Sequence, residues 1–193
     1  MALDAKGEVS DEALLVAYGN GDRVAAHALT TRLTPRVLGF ATRMLGGDRA
    51  EAEDVAQEAM LRLWKVAPDW RSGEAKVTTW LYRIVANLCT DRLRKRKHVD
   101  IDAIEEPVAD SPGVTARLIA RERAQALIAA LRDLPDRQRQ AVTLRHIEGL
   151  ANPEIAGIIG ISVDAVESLT ARGKRALAKA LAHRRLELGF DDE

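Results

Sequence analysis

Cysteine is almost absent from this 193-residue chain: Cys89 stands alone, so no internal disulfide can form, which suits a reducing compartment. No apolar run approaches the ~18 residues that span a bilayer. Even Ile155 to Ile161 is broken by Gly157 and Gly160. The opening residues, Met1-Ala2-Leu3-Asp4-Ala5-Lys6-Gly7-Glu8, hold no hydrophobic signal segment, so neither export nor membrane insertion is expected. His27, His98, His146 and His183 are scattered, with no second cysteine near any of them, and give no zinc spacing. A phosphate-binding glycine loop and a nucleophile elbow are missing too, so no enzyme, metal or cofactor is expected. Convincing alternating strands, internal repeats and low-complexity tracts are likewise lacking.

What is present is helical period and segregated charge. Hydrophobic residues make up 47% of the chain, enough for a folded core, and the length allows one domain or two small ones. The 29 basic and 29 acidic residues cancel overall but not locally. Residues 71–97 hold eight Lys/Arg against two Asp/Glu, a net +6, and residues 165–185 hold six against one, a net +5. Between them, 98–113 has five acidic residues and no Lys or Arg. Two basic blocks at the ends of helical segments suggest an anionic partner such as nucleic acid. The acidic stretch also carries Pro107 and Ser111-Pro112-Gly113, and reads as a linker over 98–115. It separates a domain at 10–97 from one at 116–186, both all-α. Residues 189–193 read as a frayed tail.

Ala52, Val55, Ala56, Ala59, Met60, Leu63 and Trp64 fall on one apolar helical stripe. Gly46-Gly47-Asp48 closes the preceding helix and offers a cap for this one. Leu14, Leu15 and Tyr18, then Leu29, Leu33, Val37, Leu38 and Phe40, indicate two earlier helices. Thr79 to Lys97 is another, with Trp80, Leu81, Ile84, Val85 and Leu88 on its apolar side. Cys89 lies within it and reads as a small packed residue. After the linker come a helix at Arg117–Leu131 and one opened by Leu134-Pro135 that stops at Gly149.

The segment 152–169 has the layout of a helix-turn-helix. Ala156 is small where two helices approach, Gly160 can take the left-handed turn conformation, and Ile161 plugs the gap. Ser162 is a natural N-cap, Asp164 complements the helix dipole, and Val166 and Leu169 face the core. The second helix of such a unit enters the major groove. Arg172, Lys174 and Arg175 follow it, where phosphate contacts are needed.

Taken together, these residues resemble a bacterial RNA polymerase sigma factor of the extracytoplasmic-function type. Three stretches carry the resemblance. Asp48 to Lys65, with Ala52-Glu53-Asp54-Val55-Ala56-Gln57-Glu58-Ala59 and Leu63-Trp64-Lys65, resembles region 2.2. Trp70-Arg71 with Thr79-Trp80-Leu81-Tyr82-Arg83-Ile84-Val85-Ala86-Asn87-Leu88 and Asp91-Arg92-Leu93-Arg94 resembles regions 2.3 and 2.4. Leu131 to Leu181, with Leu134-Pro135-Asp136-Arg137-Gln138-Arg139 and the helix-turn-helix, resembles region 4.

The resemblance implies a two-domain helical factor that binds core polymerase, reads the −35 element as duplex and holds the melted −10 element. It implies core docking through Asp54, Gln57, Glu58 and Leu61. For −10 DNA it implies Trp70, Arg71, Tyr82, Arg83, Asn87, Arg92, Arg94 and Lys95, the aromatic and amide groups holding an unstacked base and the cations holding phosphates. For −35 DNA it implies Ser162, Asp164, Ala165, Glu167, Ser168, Arg172, Lys174 and Arg175. An anti-sigma factor as a further partner, and a cytoplasmic, nucleoid-associated location, follow from the same likeness. Many relatives carry a lysine where this chain has Glu167, so their −35 sequence does not transfer. The alternative is a two-domain helix-turn-helix regulator acting without polymerase; it would have no need of the acidic face at 54–58.

Overall fold

A computed structural model describes residues 9–71, 73, 76–99 and 115–182, with side chains described outside 97–99 and 115–121. Most of the expected linker, the last residues of the second domain, the tail at 189–193 and the first eight residues lie outside this set. Among the described residues every helix and turn of helix belongs to an all-α architecture.

Four helices build the first domain, and side-chain caps fix where they begin. Ser10 accepts from the Ala13 N–H (3.2 Å) to start α1, Asp11–Gly19. Asp22 accepts from Val24 (2.8 Å) to start α2, Arg23–Met44. Asp48 accepts from Glu51 (3.0 Å) to start α3, Arg49–Val66. A short 3-10 turn, Ala67–Asp69, leads toward α4, Val77–Val99, whose first N–H is capped by Glu12 of α1 at 3.2 Å. The expected stripe on α3 is buried from Ala52 to Leu63, and it packs with Leu15, Leu29, Leu33, Phe40, Leu81 and Val85. Truncating Phe40, which has no exposed surface, would cost ~3–5 kcal/mol.

The second domain holds α5 (Thr115–Arg132), α6 (Asp136–Val142), α7 (Asn152–Ile159) and α8 (Val163–Ala182). The helix expected to run from Pro135 to Gly149 instead changes form: α6 ends at Val142 and a π-turn covers Thr143–Ile147. The widened turn keeps Leu144 buried, and the next residue, Glu148, points toward α2 and α4. Gly160 adopts the left-handed conformation (φ 68°, ψ 47°) between α7 and α8, as the turn requires. Ala130, Leu131, Leu134, Val142 and Leu177 form a small core of their own. Leu144, Leu150, Ile155, Ile158 and Val166 join the core of the first domain. The two domains therefore share one apolar interior, with α7 packed against α4.

Candidate functional site

Three surfaces carry the residues singled out above. On α3, Asp54, Gln57, Glu58 and Leu61 all face outward, and Leu61 is 60% exposed. Leu61 borders a shallow apolar groove of ≈ 310 Å³ shared with Leu38, Ala56, Met60 and Trp64. Part of the acidic charge is already matched: Glu58 pairs with Arg62 at 2.5 Å, and Asp54 lies 3.8 Å from Arg92. The Glu58–Arg62 pair is exposed and of the kind that contributes little to stability, whereas Arg92 is half-buried and its contact to Asp54 is long.

Along α4, Arg83, Asn87 and Arg94 form one exposed stripe with Asp91, at spacings of four, four and three residues; Lys95 is exposed beside it. Asn87, Asp91 and Arg94 line one wall of a cleft of ≈ 610 Å³ whose other wall is Asp136, Arg137, Gln140, Ile158 and Ile159 of the second domain. Trp70 follows the 3-10 turn and packs edge-to-face on Trp80, centroids 6.0 Å apart; its indole N–H is buried without an acceptor. Arg71 next to it is exposed.

Two members of the expected −10 group are turned elsewhere in this arrangement. Tyr82 is 2% exposed, packs edge-to-face on Phe40 (5.3 Å), and its hydroxyl donates to Glu148. Burial, with the Glu148 carboxylate beside it, pushes the Tyr82 phenol well above its ordinary pKa. Arg92 serves as a strut between α4 and α3, reaching the Glu51 carbonyl at 3.5 Å and the Glu51 carboxylate at 3.6 Å. Arg96 does the same with Asp48 and with Glu51 (3.3 Å). The Glu51 backbone N–H, with Arg96 beside it, holds the Asp48 carboxyl below its usual range.

The third surface is α8. Ser162 Oγ accepts from the Ala165 N–H at 3.2 Å, capping the helix. Asp164, Ser168, Arg172 and Arg175 recur at helical spacing on an exposed face, with Glu167 and Lys174 exposed alongside and Ala165 half-buried. Asn152 of α7 donates to Glu167 at 3.2 Å, and Arg172 Nε donates to the Ser168 carbonyl at 3.3 Å. Gly173 lies where α8 crosses α6: a Cβ there would meet Val142 Cγ2 at 2.5 Å.

Cys89 is fully buried, and burial pushes its thiol up to about 12, which leaves no thiolate for redox chemistry near neutral pH. His146 is exposed beside Lys174 and Arg145, and its imidazole is pushed below the ordinary value by partial burial and these cations. Among the described residues, no group of three or more His, Cys, Asp or Glu could hold a metal ion, and no helix is long and apolar enough to cross a membrane.

Two stretches of the chain match known family models. Residues 29–99 match Sigma-70 region 2, and residues 124–177 match Sigma-70, region 4. The chain is 35% identical to the ECF RNA polymerase sigma factor SigM of Mycobacterium tuberculosis, over 91% of this chain and 87% of that one. The chain belongs to the extracytoplasmic-function sigma factors.

The sigma-H factor of Pseudomonas aeruginosa is 32% identical over 89% of this chain and 93% of its own length; the sigma-E factor of Escherichia coli is 29% identical over 88% and 93%. Among solved structures, CnrH in complex with the cytosolic domain of CnrY superposes with a TM-score of 0.66 at 25% identity, covering 90% of this chain and 97% of CnrH. RpoE of Bartonella quintana, solved with the anti-sigma factor NepR, shares the fold: TM-score 0.65 at 23% identity, over 79% of this chain and 94% of RpoE. As a sigma factor the chain is a non-enzymatic initiation factor that directs RNA polymerase to promoters.

Sequence reasoning missed Arg43, Arg139 and Glu148. Each bridges the two domains of this sigma factor, with partners up to 105 residues away, and no local spacing marks them.

Proposed function

We propose a division of labour among the three surfaces, with working boundaries at 10–97, 98–115 and 116–186. The outer face of α3, through Asp54, Gln57, Glu58 and Leu61, docks on a basic surface of core polymerase that also offers an apolar contact. The α4 stripe of Arg83, Asn87, Arg94 and Lys95, with Trp70 and Arg71, holds the melted −10 strand. Tyr82 joins it once the domains separate, and Arg92 acts from its position between α3 and α4. The exposed face of α8 reads the −35 duplex through Asp164, Glu167 and Ser168, while Arg172, Lys174 and Arg175 hold phosphates.

One observation carries this reading. The α3 helix buries its apolar stripe from Ala52 to Leu63 yet leaves Leu61 60% exposed, in a polar face beside an apolar groove. That is the composition of a protein-docking surface, an anchor residue within a charged rim. The reading places the chain in the cytoplasm on the nucleoid, where polymerase and promoters are. We also propose an anti-sigma factor as its inhibitor, by analogy with the RpoE–NepR pair.

The test is reconstitution. Purified chain should co-migrate with core polymerase on size exclusion and support run-off transcription from a subset of a promoter library. DNA binding and regulation without polymerase binding would replace this reading with that of a free-standing regulator.

A further inference from the structure

We propose that the cleft between α4 and α6 binds a free nucleotide, which then covers part of the −10 surface. The proposal extends the assignment of α4 to the melted −10 strand and rests on it for that second clause.

Hydrogen bonds within the protein shape the cleft. Gln140 of α6, 8% exposed, donates to Thr90 Oγ1 of α4 at 3.0 Å, and Thr90 in turn donates to the Ala86 carbonyl at 2.7 Å. On the opposite wall, Arg137 Nη1 donates to the Ile159 carbonyl at 2.7 Å, which ties α6 to the end of α7. The volume, ≈ 610 Å³, lies within the ~300–1,000 Å³ of small-molecule sites.

The lining makes three demands of a ligand. Ala86 and Ile158, both buried, and the half-buried Ile159 offer aliphatic surface to a flat apolar face. Asn87 beside them is exposed, and its amide both donates and accepts. Arg94 of α4 and Arg137 of α6 bring guanidinium groups from opposite walls, each able to grip a phosphate through paired N–H donors. The ring, the base edge and the phosphate of one nucleotide meet all three demands. Inorganic phosphate would leave the apolar surface uncovered, and an aliphatic acid would leave the amide unmatched.

The charge balance favours an anion. Asp136 is already paired with the buried Arg139 at 2.8 Å. Asp91 lies 3.9 Å from Arg94, both exposed, and such a contact is weak. Arg137 has no carboxylate partner among the described residues. Two cations therefore face the cleft against the single carboxylate of Asp91. A nucleotide held there covers Asn87 and Arg94, so it and the −10 strand exclude each other.

Arg137 lies outside every surface assigned above to promoter or polymerase, which makes it the residue to change. The full-length chain is titrated calorimetrically with AMP, GMP, CMP and UMP in turn, with inorganic phosphate and the uncharged nucleosides as controls. At least one nucleotide should bind saturably, and its nucleoside and phosphate alone far more weakly. Arg137→Ala should weaken that binding by about tenfold or more, the size of a lost charge-assisted hydrogen bond, and Arg137→Lys should weaken it less. The same nucleotide should displace a labelled single-stranded −10 oligonucleotide from the unmodified chain. It should do so about tenfold less effectively with Arg137→Ala, whose own affinity for the oligonucleotide is unchanged. Circular dichroism confirms the fold of both variants.

No saturable binding by any of the four nucleotides overturns the proposal. So does inorganic phosphate binding as tightly as the nucleotide, or nucleotide binding undiminished in both Arg137 variants. If the oligonucleotide fails to bind the unmodified chain while Arg137-dependent nucleotide binding persists, the −10 assignment of α4 falls and the nucleotide site stands.

Discussion

Asn152, at the start of α7, donates its side-chain N–H to Glu167 on the recognition helix at 3.2 Å. The carboxylate is thus held in place before any DNA arrives. A carboxylate at a base edge favours a cytosine N4 donor, and a good contact discriminates by ~1–3 kcal/mol. Glu167→Lys should change the preferred base at one −35 position in a promoter library. Asn152→Ala should weaken the original preference there without creating a new one. An unchanged preference after Glu167→Lys would remove this residue from the reading face.

Phosphate contacts behave differently. Arg172, Lys174 and Arg175 are exposed on or beside the same face. Changing any one to alanine should weaken −35 duplex binding across all sequences and flatten the slope of log affinity against log salt by about one. A salt titration of the three single variants checks this; a loss confined to one −35 sequence would point instead to a base contact.

Gly173 and Gly157 give a paired test of packing. A Cβ at Gly173 would approach Val142 Cγ2 to 2.5 Å, whereas one at Gly157 has only the flexible Arg83 end at 3.9 Å. Gly173→Ala should destabilise by ~1–3 kcal/mol through overpacking. Gly157→Ala should be neutral or stabilising by up to ~1 kcal/mol, the usual gain of alanine within a helix. Chemical denaturation of both variants measures the contrast, and equal stabilities would mean that α6 and α8 do not cross this closely.

Much of this packing can be read from the order of residues. The stripe from Ala52 to Leu63 is buried as its period predicts, Asp48 and Ser162 cap the helices they precede, and Gly160 turns left-handed. These features depend on neighbours within four residues. Tyr82 shows where such reading stops. Its position beside the apolar stripe of α4 leaves either exposure or burial open, and the outcome depends on Glu148, 66 residues away, and Phe40. Arg92 was expected to hold phosphates because its neighbours are basic. Its carboxylate partners, Glu51 and Asp54, come from another helix and leave no mark in the local charge count. The π-turn at 143–147 is equally silent, since Ala141 and Leu144 keep an ordinary helical spacing.

Strand opening isolates Trp70 and Asn87. Trp70→Ala and Asn87→Ala should leave closed-complex formation largely intact and reduce permanganate reactivity at the −10 element. A base stacked on an aromatic ring contributes ~1–3 kcal/mol, so an effect of about tenfold is expected for Trp70. Trp70 also packs on Trp80, so circular dichroism must first show an intact fold. Footprints equal to those of the unmodified protein would assign Trp70 to packing alone.

The central claim is that this chain works by docking α3 on polymerase, and charge reversal on that face tests it most directly. Asp54→Lys with Glu58→Lys alters exposed side chains and none of the buried stripe. The exposed pair lost with Arg62 is worth at most ~1 kcal/mol, and the half-buried Arg92 loses only a 3.8 Å contact while keeping Glu51, so the fold should survive. Like charges placed against a basic docking surface should cost several kcal/mol of affinity. The measurement is a pull-down of core polymerase by the folded double variant beside the unmodified chain. The account predicts capture by the unmodified chain and loss of capture by the variant, with run-off transcription lost in parallel. Equal capture by both would contradict docking through α3.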